Sequence, residues 1–467
     1  MDSDLIARAL ADAVPRSYWI DQPMAPPRQD ALAGATTADL AVVGGGFSGL
    51  WTALIAKERD PDREVVVLEA LSVGWAASGR NGGFCAASLT HGLSNGADRF
   101  PDEIGTLDKL GHRNLDEIAA AIERYGIDCG FERTGELNVA IEEWQAANLR
   151  DGFEMSRRFG HDVHYLDRDE VQAEVASPTY RAGVWDKDGC AMLDPARLAW
   201  GLRAACLQLG VRIYEGTPVE SIGREAAGLA LRTPNGTVIA EHVALASGAF
   251  PALLKRMRNF IVPVYDYALM TEPLSAAQME SIGWRHRQGI GDTANLFHYY
   301  RLTQDNRILW GGYDAVYYNG GRITPERDQR PATTTALAQH FFETFPTLEG
   351  VRFTHSWGGV IDTCSRFCAF FGTAYDGRLS YAVGYTGLGV GATRFGAEVM
   401  LDLLSGESTE LTSLKMVQSK PLPFPPEPLR SAVIQLTRWS TARADRNDGR
   451  RNLWLRSLDK LGLGFDS

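Results

Sequence analysis

Apolar and polar positions along this chain switch between the period of a strand and that of a helix. The run Asp39-Leu40-Ala41-Val42-Val43 is short, apolar and β-branched, and it stops at Gly44-Gly45-Gly46. Leu50, Ala53, Leu54 and Ala56 then fall at helical spacing, which predicts a strand, a tight glycine turn and a helix. A second apolar run, Glu64-Val65-Val66-Val67-Leu68, follows Asp60-Pro61-Asp62-Arg63 and delivers Glu69 at its carboxyl end. Together these make a βαβ unit, with the right-handed crossover such units adopt.

Beyond residue 98 the pattern turns to amphipathic helix, with Leu115, Ile118, Ala119 and Ile122 on one face, and then to strand through Gly135-Glu136-Leu137-Asn138-Val139-Ala140. Asp194 as N-cap and Pro195 at the first helical position predict a helix running towards Gly210-Val211-Arg212-Ile213-Tyr214, a return to the first domain. Strand-like sequence dominates from Ile261 to Gly312, clearest over 264–271 and 307–312, and helix reappears at 334–344. The fold expected is α/β: a Rossmann-like nucleotide-binding domain (1–97, 181–260 and 355–412) with an inserted α+β substrate domain on a mixed sheet (98–180 and 261–354). A proline-rich linker and basic amphipathic tail occupy 413–467.

Composition narrows the function. The 467 residues suffice for two intertwined domains with a cleft between them. With 45% hydrophobic and 22% charged residues and no apolar run of membrane-spanning length, the chain reads as soluble. Its first twenty residues carry acids among short apolar stretches, which is unlike a secretory signal and points to the cytoplasm. The six cysteines (Cys85, Cys129, Cys190, Cys206, Cys364 and Cys368) and nine histidines show neither disulfide-framework nor metal-ligand spacing, so reduced thiols and no metal are expected. A net charge of −11 argues against nucleic acid. Residues 430–460, however, hold eight basic side chains against three acids, +5 there and −16 elsewhere. Such a tail suits an acidic membrane or a redox partner, or docks on the protein's own negative body or on a second copy in a homo-oligomer.

Gly44, Gly46 and Gly49 match G-x-G-x-x-G directly after a strand and at the start of a helix, and Glu69 stands 20 residues past Gly49. Gly44 allows the turn, Gly46 admits a pyrophosphate to the amides of Phe47 and Ser48, and Gly49 lets helix and strand touch. Glu69, followed by Ala70, is placed for the ribose hydroxyls. The loop Ala76-Ala77-Ser78-Gly79-Arg80-Asn81-Gly82-Gly83 supplies bare backbone amides and one cation, which suits a flavin better than a nicotinamide.

This combination, with A-S-G-R-N-G-G after the second strand, resembles the D-amino-acid-oxidase superfamily of FAD enzymes, and within it the gamma-glutamylputrescine-oxidase-like branch. The likeness runs from about Ser17 to Gly406. It implies an adenine contact from the backbone of Val219 in Gly216-Thr217-Pro218-Val219. It implies a strand beneath the cofactor ending in Ala246, Ser247 and Gly248, with Ser247 where threonine is usual. It further implies flavin contacts from Gly359 and from the second glycine loop at Gly387, Leu388, Gly389 and Val390. FAD is expected to be non-covalent, with Cys85 the position to check for attachment.

The resemblance also implies the chemistry: hydride transfer from the carbon beside a neutral amine to flavin N5, imine hydrolysis, and reoxidation by oxygen with release of hydrogen peroxide, or by an electron carrier. Amino-acid-oxidising members carry an arginine where this chain has Ile361 in Ser356-Trp357-Gly358-Gly359-Val360-Ile361-Asp362. The missing clamp favours an amine or gamma-glutamyl-polyamine-like substrate over a D-amino acid or N-methyl amino acid. An NAD-linked dehydrogenase of the same fold and a non-catalytic FAD-binding assembly protein are the two other classes open. Candidate pocket residues are His298 and Tyr300, alternating on one strand face towards the flavin, Trp357 as wall or core, and Asp362 as an attractor of ammonium or a turn cap. Arg301 is either a holder of a remote carboxylate or a surface ion pair.

Overall fold

A computed structural model describes residues 3–250, 253–460 and 463. Two eight-stranded sheets organise them. In the first, Gly34–Val43 is central, paired in parallel with Gly236–Leu245 on one side and Val65–Leu68 on the other. Arg212–Tyr214 extends it beyond Val65–Leu68, and Leu379–Val383 extends it beyond Gly236–Leu245, both in parallel. Leu40, Ala41 and Val42 have no exposed surface, because a parallel strand covered on both faces is apolar throughout. The helix Phe47–Arg59 packs on this sheet beside Pro195–Gln208, whose N-cap Asp194 accepts from Arg197 N at 3.0 Å. The helix expected from Asp194 and Pro195 is therefore present, and it returns to the first domain.

The second sheet runs in the order Phe353–Thr363, Val262–Thr271, Ile308–Gly312, His298–Leu302, Gly289–Asp292, Glu136–Ala140, Ala182–Asp186, Val163–Leu166. It is antiparallel except where Gly289–Asp292 meets Glu136–Ala140. Helix Pro331–Thr344 covers one face with a core that includes Trp284, Trp310, Phe341 and Phe345. Two segments expected in the nucleotide domain belong here: Ala182–Asp186 pairs with Glu136–Ala140, and Phe353–Thr363 is the edge strand beside Val262–Thr271. Nothing local to either segment marks its sheet, so only pairing assigns them. The N-terminal helix Ser3–Leu10, also expected with the nucleotide domain, buries Leu5, Ile6 and Ala9 in the second core.

The basic tail docks on this same chain. Asp445, at the end of helix Leu429–Asp445, accepts from Asn295 N at 2.9 Å and Leu296 N at 3.2 Å, and Gln435 donates to Tyr317 O at 3.1 Å. Arg438 donates to the buried Asp314, which also takes Arg330 and Thr333. The tail thus contacts the protein's own body through Asp445, Gln435 and Arg438.

Candidate active site

The first glycine turn leaves no room for side chains. Gly44 has φ +112°, and a Cβ there would lie 2.5 Å from Ala246 O; one at Gly49 would lie 1.9 Å from Gly44 O. The helix opening at Phe47 has no side-chain cap from its own N-cap residue, Gly46. Ser78 Oγ stands at that helix end, accepting from Phe47 N at 2.9 Å. Glu69 lies beneath the turn, taking Gly45 N at 2.6 Å on one oxygen and Leu71 N and Trp75 Nε1 at 2.8 Å each on the other. Burial raises its pKa, and these donors oppose the rise. Thr217 N donates to Glu69 O at 2.8 Å, which brings the 216–219 stretch and Val219 to the same strand end, beside exposed Ala70. Ala246 N donates to Val43 O at 2.9 Å, setting Ala246, Ser247 and Gly248 next to Gly44.

The 78–83 loop is held from outside its own sheet. Ser17 Oγ donates to Gly79 O at 2.8 Å, Trp19 Nε1 to Asn81 O at 2.9 Å and Trp357 Nε1 to Arg80 O at 2.8 Å. Arg80 itself reaches Asp328 and Gly358 O. Asn81 Oδ1 accepts from Gly83 N at 2.8 Å, and Gly82 lies under the Tyr299 ring, which a Cβ there would meet at 2.7 Å. The second glycine loop bends through positive φ at Gly384, Thr386 and Gly387 before Gly389–Ser405 begins behind Leu388, with Val390 in its first turn. Ser48 Oγ and Tyr385 Oη lie 3.2 Å apart, joining this loop to the first helix. Gly44, Gly46, Ser78, Arg80, Asn81, Ser247, Gly359 and Leu388 all stay partly uncovered among buried neighbours, which marks a hollow along these loops. Backbone amides at a glycine-led helix start, an acid on the next strand and glycines that a Cβ would fill together fit a dinucleotide carrying a flavin.

On the substrate sheet one face looks at this hollow. Asp266 pairs in register with Gly359, whose added Cβ would meet Arg80 Cβ at 3.4 Å, so both point at the 78–83 loop. Tyr299 Oη donates to Asp266 Oδ2 at 2.6 Å, and its ring edge meets Phe84 with 5.9 Å between centroids. Burial pushes the Asp266 carboxyl up to about 6, against donors from Tyr299, Tyr267 N and Gly312 N. It is nevertheless only partly covered, as expected of a group on the wall of an internal hollow.

A family model described as FAD dependent oxidoreductase matches residues 39–403, a span holding every glycine loop named above. The chain belongs to the DAO family. It is 33% identical over 407 residues to gamma-glutamylputrescine oxidoreductase of Escherichia coli K12, covering 84% of this chain and 90% of that one. A probable oxidoreductase, OrdL, of Haemophilus influenzae is 28% identical over 409 residues, 85% of this chain and 90% of its own. Among solved structures, glycine oxidase from Geobacillus kaustophilus shares the fold with a TM-score of 0.68 at 22% identity, over 82% of this chain and 99% of that one. The DAO-family protein described here is thus an FAD-dependent oxidoreductase acting on C–N groups of amines or amino acids.

Within this DAO-family site several expected pocket residues lie elsewhere. His298 and Tyr300 face the helix-covered core: His298 bonds Asp292 Oδ2 at 2.7 Å and His340 Nδ1 at 3.0 Å, and Tyr300 Oη lies 2.6 Å from Tyr180 Oη. Alternation is the reason, since the hollow-facing set on that strand is Tyr299 and Arg301. Arg301 is buried, not a surface ion pair. It donates to Leu193 O at 2.6 Å and Gly83 O at 3.4 Å, and burial lowers its pKa to about 10. Asp362 also falls on the face opposite Ile361 and Gly359. Its Oδ2 accepts Gly384 N at 2.6 Å, so it braces the second glycine loop, the turn-cap alternative. Trp357 is core, 2% exposed, and anchors Arg80. Cys85 is fully buried with its thiol pushed up to about 12, a poor state for attack on a flavin. The residues missed were Asp266, Tyr299, Ser17, Trp19 and Asp328. Asp266 sits in an apolar strand pattern, Val264 to Thr271, and that interruption was the available signal.

Proposed function

We propose that this protein is an oxidase of a cationic amine of the gamma-glutamyl-polyamine type, working in the cytoplasm. The carrying observation is the wall that faces the hollow: Ile361 stands where a carboxylate clamp is absent, and Asp266 offers an acid on the neighbouring strand. FAD, which the Gly44–Gly49 turn, Glu69 and the 78–83 loop would hold, would supply the electron sink. Loss of a hydride from the carbon beside a neutral amine and of a proton from its nitrogen would leave an imine for water to hydrolyse, and oxygen would take up the two electrons with two protons as hydrogen peroxide. The chain's own part is positional. Ionised Asp266, oriented by Tyr299, draws the cationic substrate to the strand that faces the 78–83 loop, where its reacting nitrogen gives up a proton before oxidation. The 33% identical gamma-glutamylputrescine oxidoreductase supports this substrate class. Six buried free cysteines suit a reducing compartment.

The test is an anaerobic screen of polyamines, their gamma-glutamyl conjugates, D-amino acids and N-methyl amino acids, following loss of flavin colour, and then admission of oxygen. The proposal expects fastest bleaching with a gamma-glutamyl polyamine, and peroxide on reoxidation. Bleaching by amino acids alone would overturn the substrate class, and slow reoxidation would overturn the oxidase.

A further inference from the structure

Away from the flavin site, three side chains with metal-binding atoms converge at the outer edge of the substrate sheet. Asp108 and His112 lie four residues apart on helix Ile104–Arg124, hence on one face. His161 comes from the turn between helix Glu143–Arg158 and strand Val163–Leu166. Its Nε2 is 3.1 Å from both Asp108 oxygens, and His112 Nε2 is 4.0 Å from Asp108 Oδ1. One ligand atom from each of the three lies within 4.8 Å of the others, and the imidazoles meet edge to face with centroids 5.0 Å apart. Sequence spacing alone conceals the group, because His161 joins from a distant part of the chain.

We propose that Asp108, His112 and His161 bind a divalent transition-metal ion of the zinc class. Two imidazole nitrogens and one carboxylate oxygen are the donor set zinc accepts, with water completing four ligands. At bonds of about 2.0–2.1 Å, tetrahedral ligands sit roughly 3.3–3.5 Å apart, so the 3.1 and 4.0 Å separations from Asp108 need only sub-ångström adjustment, and the two imidazoles, within 4.8 Å of each other, close by rotation of the more exposed His112. The surroundings add a second argument. His161 Nδ1 lies 3.8 Å from Asp186 Oδ2, beyond hydrogen-bond length but on the side from which a carboxylate orients a metal-bound histidine once the ring shifts towards it. Asp108 and His161 are largely shielded, with side chains 15% and 12% exposed, while His112 at 30% leaves an entry for the ion.

The ion would act as a clasp. The same helix that carries Asp108 and His112 donates Asn114 Nδ2 to Gly391 O at 2.9 Å and pairs Glu117 with Arg394, both on the helix behind the second glycine loop. The clasp would thus tie the far edge of the substrate sheet to an element that leans on the flavin domain, leaving the site of oxidation untouched.

The experiment uses tag-free, full-length, flavin-loaded protein stripped with chelator, incubated with zinc chloride or calcium chloride and dialysed. Metal content is measured by mass spectrometry and stability by thermal unfolding. The expected result is retention of about one zinc per chain with a higher melting temperature, and no retained calcium. His112→Ala and Asp108→Asn should abolish retention. Asp186→Asn should weaken binding about 10- to 100-fold, as loss of an orienting carboxylate does. His112 is on the helix surface, so its replacement decides the matter even where Asp108→Asn fails to fold, and unchanged flavin absorbance verifies the fold. No zinc retained by the parent protein, equal retention by His112→Ala, or preference for calcium would overturn the proposal. Amine oxidation enters none of these readings.

Discussion

The nucleotide turn and the substrate face meet at one hollow, yet they are built by opposite means. At the turn, function resides in backbone and in missing side chains: Gly44 and Gly49 abut carbonyl oxygens at 2.5 and 1.9 Å from where a Cβ would stand. At the substrate face it resides in which of two alternating sets of side chains a strand presents, and both sets of His298–Leu302 are largely buried. A site made of absences tolerates no addition, whereas a site made of presented groups is retuned by exchanging one of them.

The contrast can be broken or sharpened by substitution. Gly49→Ala should have the largest effect, because its methyl meets a carbonyl that cannot move without the strand. We expect destabilisation of about 3 kcal/mol or more, with flavin lost on gel filtration. Asp266→Asn should leave flavin content and melting temperature nearly unchanged and lower kcat/KM for cationic amines about 100-fold, the size of a buried charge pair losing one partner. Loss of flavin in Asp266→Asn would erase the distinction between the two regions.

The pH dependence follows from the same carboxyl. Asp266 is held up to about 6 by burial, so it is neutral below that and ionised above. KM for an amine that stays protonated in solution across this range should therefore fall as pH rises through about 6, a step absent from Asp266→Asn. For stability the sign is reversed: a carboxyl with a raised folded-state pKa weakens the fold as pH rises from its unfolded value near 4 to about 6. Tyr299→Phe removes a donor that lowers this pKa, so the KM step should move to higher pH, with kcat/KM at pH 6 falling several-fold. The smallest effect is expected from the adjacent residue. Tyr300→Phe loses one hydroxyl contact with Tyr180 in the far core, which should cost about 1 kcal/mol in thermal unfolding and leave KM unchanged.

The same contrast governs what could be read from the chain alone. Gly44, Gly46, Gly49 and Glu69 were legible because their spacing is local and each is the cheapest residue for its job. Asp194 and Pro195 announced their helix for the same reason. Which sheet Ala182–Asp186 and Phe353–Thr363 belong to was hidden, since strand pairing is non-local and neither segment carries a local mark of its partner. Strand parity was hidden as well. A chain buried on both faces gives no alternation by which to choose Tyr299 over Tyr300, or Ile361 over Asp362. The tail's arginines signalled a docking surface without naming it, because Asp314 is supplied by a strand-end loop over a hundred residues earlier.

The arm formed by Ser17 and Trp19 reaches across from the substrate side to take two carbonyls of the flavin loop. An opening between the sheets wide enough to release the cofactor would have to break that grip. Apoenzyme should thus betray itself at its amino end, where a protease would find a strap that the loaded enzyme keeps fastened.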